Sequence, residues 1–114
     1  MQSPDDALPL RPAAFHILLA LTAGDLHGLG IGDEVERVSG GALTLGPGTL
    51  YRTLDEMRGD GWIERAEVSG ADEDPRRKHY RLTRVGRRVL EAEAARLDRL
   101  LAHARARQVL PERA

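Results

Sequence analysis

Leu45-Gly46-Pro47-Gly48-Thr49-Leu50-Tyr51-Arg52-Thr53-Leu54 is the stretch whose reading decides the fold. A proline between two glycines suits a turn that feeds a helix: its fixed φ is already helical, and a first-turn residue has no intrahelical use for its N–H. Leu50, Leu54 and Met57 then recur at helical spacing and predict a buried stripe. Gly59-Asp60-Gly61 closes the helix. Thr49, Arg52, Thr53 and Glu56 read as falling away from the stripe, with Tyr51 at its margin. Short hydrogen-bonding side chains and one arginine near a helix N-terminus suit base edges and phosphates. The same pattern also describes an ordinary solvated helix face.

Working outward toward the N-terminus, Ser39-Gly40-Gly41 stops a second helix that starts near Gly28–Gly30 and carries Ile31, Val35 and Val38 on one face. Between the two helices, Ala42–Leu45 is too short for a helix and reads as a stub strand. A further helix begins at Pro12, with Phe15, Leu18, Leu19 and Thr22 as its apolar stripe, and ends at Gly24-Asp25. Residues 1–9 read as a flexible tail. Toward the C-terminus, Trp62–Val68 and Lys78–Leu82 are rich in strand formers. The polar stretch Ser69–Arg76 between them completes a β-hairpin with a long tip. Alternation sends Tyr80 and Leu82 to one face of the second strand and Arg77, His79 and Arg81 to the other. Such a basic strand can lie along a phosphate backbone, or simply protect a sheet edge.

Thr83 is a good N-cap for a last helix that runs to about Arg107. At roughly 24 residues it would be about 36 Å long. Leu90, Ala94, Leu97, Leu101 and Ala104 alternate four and three apart, a heptad seam, and Leu100 widens it. One small core cannot cover a stripe of that length, so part of it is expected to meet a second copy of the chain. The order helix, helix, stub strand, helix, strand, loop, strand, long helix is that of a helix-turn-helix followed by a two-stranded wing. The expected architecture is mainly α with a small β-hairpin, an α+β fold. Residues 1–9 form a tail, 10–83 a winged helix-turn-helix domain, 84–107 a dimerisation helix and 108–114 a second tail.

Composition narrows the chemistry. The 114 residues contain no cysteine, which excludes disulfide scaffolds, cysteine-based zinc and iron–sulfur sites, and thiol catalysis. His16, His27, His79 and His103 lie far apart in sequence, and Ser3, Ser39 and Ser69 fall in a tail and in turns, so neither a metal centre nor a serine triad is suggested. Gly28-Leu29-Gly30-Ile31-Gly32-Asp33 resembles a dinucleotide loop, but Asp33 replaces its last glycine and a helix rather than a strand precedes it. Trp62 reads as a core plug. No enzyme activity, cofactor, membrane span or targeting peptide is expected, and the default location is the cytoplasm. The formal net charge is −1. It conceals a segregation: residues 1–41 hold six acids and two bases, whereas residues 76–107 hold eleven bases and three acids. A local basic region is what phosphate binding requires.

Four pieces in order carry a family likeness: Leu26-His27-Gly28-Leu29-Gly30-Ile31, Gly46–Leu54, Asp60-Gly61-Trp62-Ile63-Glu64, and Arg77–Thr83 with Gly86. Together they resemble the PadR family of bacterial transcriptional regulators, winged helix-turn-helix dimers, over roughly residues 8–107. The resemblance implies that the helix bearing Thr49–Thr53 enters the major groove of double-stranded DNA, that Tyr51 meets the DNA backbone, and that Arg77 and Lys78 form the basic wing. It also implies that the last helix makes the homodimer, through Leu90, Ala94, Leu97, Leu101 and Ala104. On this reading Thr49, Arg52 and Thr53 reach base edges, and Tyr51, Arg77, Lys78 and Arg81 reach phosphates, in a repressor bound to a two-fold symmetric operator. The family commonly takes small aromatic or cationic effectors at the dimer interface, yet Phe15, Tyr51, Trp62 and Tyr80 all lie outside the last helix. Leu29 stands where the family usually has an aromatic residue, and Asp72-Glu73-Asp74 puts acid at the wing tip. That acid and the net charge leave a second reading, a winged-helix protein-interaction module that does not bind DNA.

Overall fold

A computed structural model describes residues 3–67 and 78–112. The elements run α1 (Pro12–Ala20), β1 (Leu26–His27), α2 (Gly28–Val38), α3 (Pro47–Gly59), β2 (Ile63–Ala66), β3 (His79–Leu82) and α4 (Arg84–Ala106). The strands form one antiparallel sheet in the order β1-β3-β2, with Leu26 opposite Tyr80, His27 opposite His79 and Ile63 opposite Leu82. This is a winged helix: three short helices packed on a small sheet, with a fourth helix leaving it. Among the described residues no helix is long and apolar enough to cross a membrane, and no group of three or more acidic or imidazole side chains could hold a metal ion.

The core explains the packing. Ile17 and Leu18 of α1, Ile31 and Val35 of α2, Leu50, Leu54 and Met57 of α3, Ile63 and Tyr80 of the sheet, and Val89 and Leu90 of α4 form one buried cluster. Several expectations from sequence change here. The buried side of α1 is Ala14, Ile17, Leu18 and Ala20, continued by Leu21 just beyond it, while Leu19 and Thr22 are exposed. The helix is apolar nearly all round, so periodicity did not single out a face. Val38 is exposed too, because α2 has passed the core by its last turn. The stub strand is β1, not Ala42–Leu45. A two-residue strand has no periodicity to read, and β1 exists because β3 pairs with it. Residues 42–45 instead pass the core as irregular chain: Leu43 and Leu45 pack against it, and the Ser39 hydroxyl accepts from the Leu43 N–H at 3.0 Å. His79 is buried by the same pairing, with its ring edge-on to His27 at 5.4 Å, rather than standing on an open basic face.

The N-terminal segment is not a loose tail. Pro4–Ala7 forms a 3₁₀ turn, capped by Ser3, that packs on α4. Ala7 and Leu10 reach the core, and the Leu10 N–H donates to Glu93 Oε2 at 2.8 Å. Glu93 is 2% exposed and is held by Arg96, whose guanidinium forms two bonds to it, one of 3.1 Å to Oε2. A buried carboxylate is tolerable only when its lone pairs are satisfied, and this one takes bonds from two segments. At its other end α4 closes with Gln108 at φ 61 and the Val109 N–H on the Ala104 carbonyl at 2.8 Å, a left-handed cap that carries the chain away.

The hydrogen bond from Arg96, together with that from the Leu10 amide, holds the Glu93 carboxyl below the usual carboxylate range despite its burial. A depressed folded-state pKa means stability that is present above the unfolded value and is lost as pH falls through the folded one. Glu93→Gln should therefore lower stability by about 1–2 kcal/mol at neutral pH, the loss of a charge-assisted bond. The gap to wild type should close as pH drops below about 4.3, the ordinary glutamate value. Urea unfolding at a series of pH values measures this, and a pH-independent gap would mean that the Glu93 charge does not contribute.

Candidate nucleic-acid interface

The face that α3 turns outward is set by what it turns inward. Leu50, Thr53, Leu54 and Met57 are buried, which leaves Thr49, Arg52, Asp55 and Glu56 exposed and Tyr51 at 42% exposure. Thr53 corrects the reading from polarity. Position 53 is three beyond Leu50 and four before Met57, so it lies inside the apolar stripe. The Thr53 hydroxyl gives its one proton to the Thr49 carbonyl at 2.7 Å, and at 4% exposure the side chain is out of reach of a base edge. Thr49 and Arg52 remain on the open face.

Pairing inside the chain then separates the cations. Arg81 is bonded to Asp25 at 3.1 Å, and that hydrogen bond raises the guanidinium pKa further. Arg11 pairs with Glu56, Arg37 with Glu34 and Arg87 with Glu91. Arg52 and Lys78 make no ion pair among the described residues, so their charge is not neutralised there. Arg77 and the acidic tip Asp72–Asp74 lie outside the described residues.

Tyr51 and Lys78 come together in a cleft of about 420 Å³ that also takes in Gly28, Leu29, Asp55 and Arg65. It opens beside the N-terminus of α2, where first-turn amide groups and the helix dipole favour an anion. His27 caps that turn, its Nδ1 accepting from the Gly30 N–H at 2.9 Å. Arg65 was not singled out in the sequence. It sits over the Tyr80 ring at 5.9 Å and brings a second cation to the cleft. The signal for it was weak, a lone arginine in a four-residue strand, and only the pairing of Arg65 with Tyr80 across β2 and β3 places it here. Asp55 opposes the two cations; among the described residues its one ion pair is a long 3.8 Å contact with Arg58. Gly28 leaves room for Tyr51 at the rim: a Cβ there would collide with the Tyr51 hydroxyl and stand 2.9 Å from its Cζ unless that side chain moved.

The seam of α4 divides. Leu90 belongs to the chain's own core, since the winged domain covers the first turns of the helix. Beyond Glu93 the cover ends: Ala94 is exposed, Leu97 and Ala104 are half-buried, and Leu100 and Leu101 are 52% and 43% exposed.

A winged domain, a third helix whose open face carries Thr49 and Arg52, and a long fourth helix with an uncovered apolar side define a winged helix-turn-helix transcriptional regulator. The chain belongs to the PadR-like family of transcriptional regulators, whose profile matches residues 17–92. It is 38% identical over 84 residues to an uncharacterized 37.1 kDa protein in transposon TN4556 of Streptomyces fradiae, which covers 74% of this chain and only 22% of that protein. Among solved structures it resembles RosR of H. salinarum, with 30% identity, a TM-score of 0.63 and coverage of 86% of this chain and 80% of that one. It also resembles Bacillus subtilis PadR in complex with operator DNA, with 25% identity, a TM-score of 0.60 and coverage of 74% and 47%.

Gly28→Ala probes the cleft. The atoms in the way are the far end of a side chain, so Tyr51 should swing aside with the melting temperature almost unchanged. Affinity for DNA should fall about fivefold, the equivalent of one neutral hydrogen bond to a phosphate. Gel shift and thermal unfolding on the same preparation check it. Unchanged affinity with a displaced Tyr51 would remove that side chain from the interface.

Proposed function

We propose that the protein is a homodimeric repressor that binds a two-fold symmetric operator in double-stranded DNA. The observation that carries the reading is the open face of α3, where Thr49 and Arg52 stand exposed and Arg52 has no ion-pair partner among the described residues. Arg52 can pair bidentately with a guanine, and Thr49 can reach an adjacent base edge or phosphate. Tyr51, Lys78 and Arg65 border an anion-favouring cleft next to that face and fit the phosphate backbone. Arg77, which lies outside the described residues, is proposed as a further phosphate contact on the basis of its sequence alone. Arg81 is left out of the contact set because Asp25 already neutralises it, and Thr53 because it is buried. The likeness to a PadR bound to its operator supports the reading.

Leu97, Leu100, Leu101 and Ala104 supply the dimer seam. A second copy packed on them doubles the recognition surface. Two α3 helices related by a dyad meet successive major grooves about 34 Å apart. Bound over a promoter, such a dimer excludes polymerase. Footprinting on the DNA upstream of the protein's own gene tests the proposal as a whole. A protected palindrome is expected, and a chain that shifts no DNA at low salt would turn the reading toward a protein-interaction module.

Arg52→Ala should weaken operator binding by about 1–3 kcal/mol if Arg52 reads a base, with a smaller loss on random DNA. Equal losses on both would reassign Arg52 to a phosphate. Leu97→Ala combined with Leu101→Ala should shift the protein toward monomer at micromolar concentration, since each buried leucine truncated costs about 2–5 kcal/mol and the change occurs once in each subunit. Operator affinity should fall with it, while the circular dichroism of the winged domain persists. Sedimentation at several concentrations decides the point: a wild-type monomer, or a double variant that still dimerises and binds operator normally, would end the dimer proposal.

A further inference from the structure

A second cleft, of about 500 Å³, opens where the Pro4–Ala7 turn, the α3–β2 junction and α4 meet. Trp62, Val85, Val89 and Ala7 give it apolar walls, and Asp60 and Arg88 bring it one charge of each sign. Neither charge is neutralised: Asp60 and Arg88 do not pair with each other, nor with any other group among the described residues. Arg87 next door pairs with Glu91, which leaves Arg88 facing the cleft alone. Asp60 is the C-cap of α3. The negative end of the helix dipole disfavours a carboxylate there and would favour a cation beside it. Half-buried Trp62 offers an aromatic surface in the same cleft.

We propose that this cleft binds a small zwitterion with an apolar, ring-bearing body. Its carboxylate lies on Arg88, its ammonium on Asp60, and its ring against Trp62 and the valines of α4. A pocket of this volume, mostly apolar with a few convergent polar groups, is of the usual kind for a small ligand. The charge pattern selects the class: an acid without an amine meets Asp60 unfavourably, and an amine without an acid meets Arg88. An occupant would touch the end of α3, the start of β2 and the first turns of α4 at once. Its effect on operator affinity rests on the function proposed above, whereas the binding itself does not.

Trp62 is the single tryptophan in the chain and therefore reports on its own cleft. Its fluorescence, in the 114-residue chain without DNA, should change saturably with L-phenylalanine. 3-Phenylpropionate and phenethylamine, which each keep one charge, should bind about tenfold more weakly or worse, because each forfeits a charge-assisted hydrogen bond. Arg88→Gln should abolish the preference for phenylalanine over phenethylamine, and Asp60→Asn the preference over 3-phenylpropionate. Both residues are exposed, so circular dichroism should show both variants folded. No saturable change with phenylalanine at millimolar concentration, equal binding of the three compounds, or selectivity that survives both substitutions would overturn the proposal. A gel shift run separately keeps the two readings apart: intact operator binding with no response of Trp62 sinks the ligand site alone.

Discussion

The carbonyl of Trp62 is the point through which the winged domain and the long helix are joined. It accepts from the Thr83 N–H at 3.0 Å and shares the single proton of the Thr83 hydroxyl (2.9 Å) with the Gly61 carbonyl (2.6 Å), while that hydroxyl also caps α4 by accepting from the Gly86 N–H at 3.0 Å. Gly86 is there because any Cβ would collide with the same carbonyl. The start of β2, the end of β3 and the first turn of α4 are thus fixed by one threonine and one glycine. A second tie from Leu10 and Arg96 to Glu93 holds the helix two turns further on. The direction in which α4 leaves the domain follows from these two attachments.

Against this frame the charge distribution becomes interpretable. A net charge of −1 conveys little, because Arg11, Arg37, Arg58, Arg81, Arg87 and Arg96 are each paired with an acid three or four residues away or on another segment, while the other arginines make no ion pair among the described residues. Surface pairs of this kind add little stability, but they determine where uncompensated positive charge is left. On the α3 side it is left at Arg52, Arg65 and Lys78, next to a helix N-terminus.

Much of this was legible in the sequence, and the parts that were not share a cause. The Leu50, Leu54 and Met57 stripe, the Thr83 cap and the glycine stops are local signals, and each stands where the local physics puts it. Four features needed a partner distant in sequence. β1 needs β3, the burial of His79 needs His27, Arg65 needs the β2–β3 register, and Glu93 needs Leu10. Nothing in the heptad seam marks where the winged domain stops covering it, so Leu90 looked like Leu97 until the core was seen. Thr53 is a different case: its polarity points to solvent, its place between Leu50 and Met57 points to the core, and position prevails.

Taken mechanically, α4 is a lever. It is gripped near Gly86 and Glu93 and is free along Leu97–Ala106, so its far end lies about 30 Å from the grip at Gly86. A tilt of about 5° at that grip would carry the tip sideways by about 3 Å, close to the roughly 3.4 Å between successive base pairs. In a dimer joined at the tips, the two domains would swing in opposite senses. A side-chain adjustment beneath Trp62, too small to alter any one domain, would therefore change which half-site spacing the pair can span.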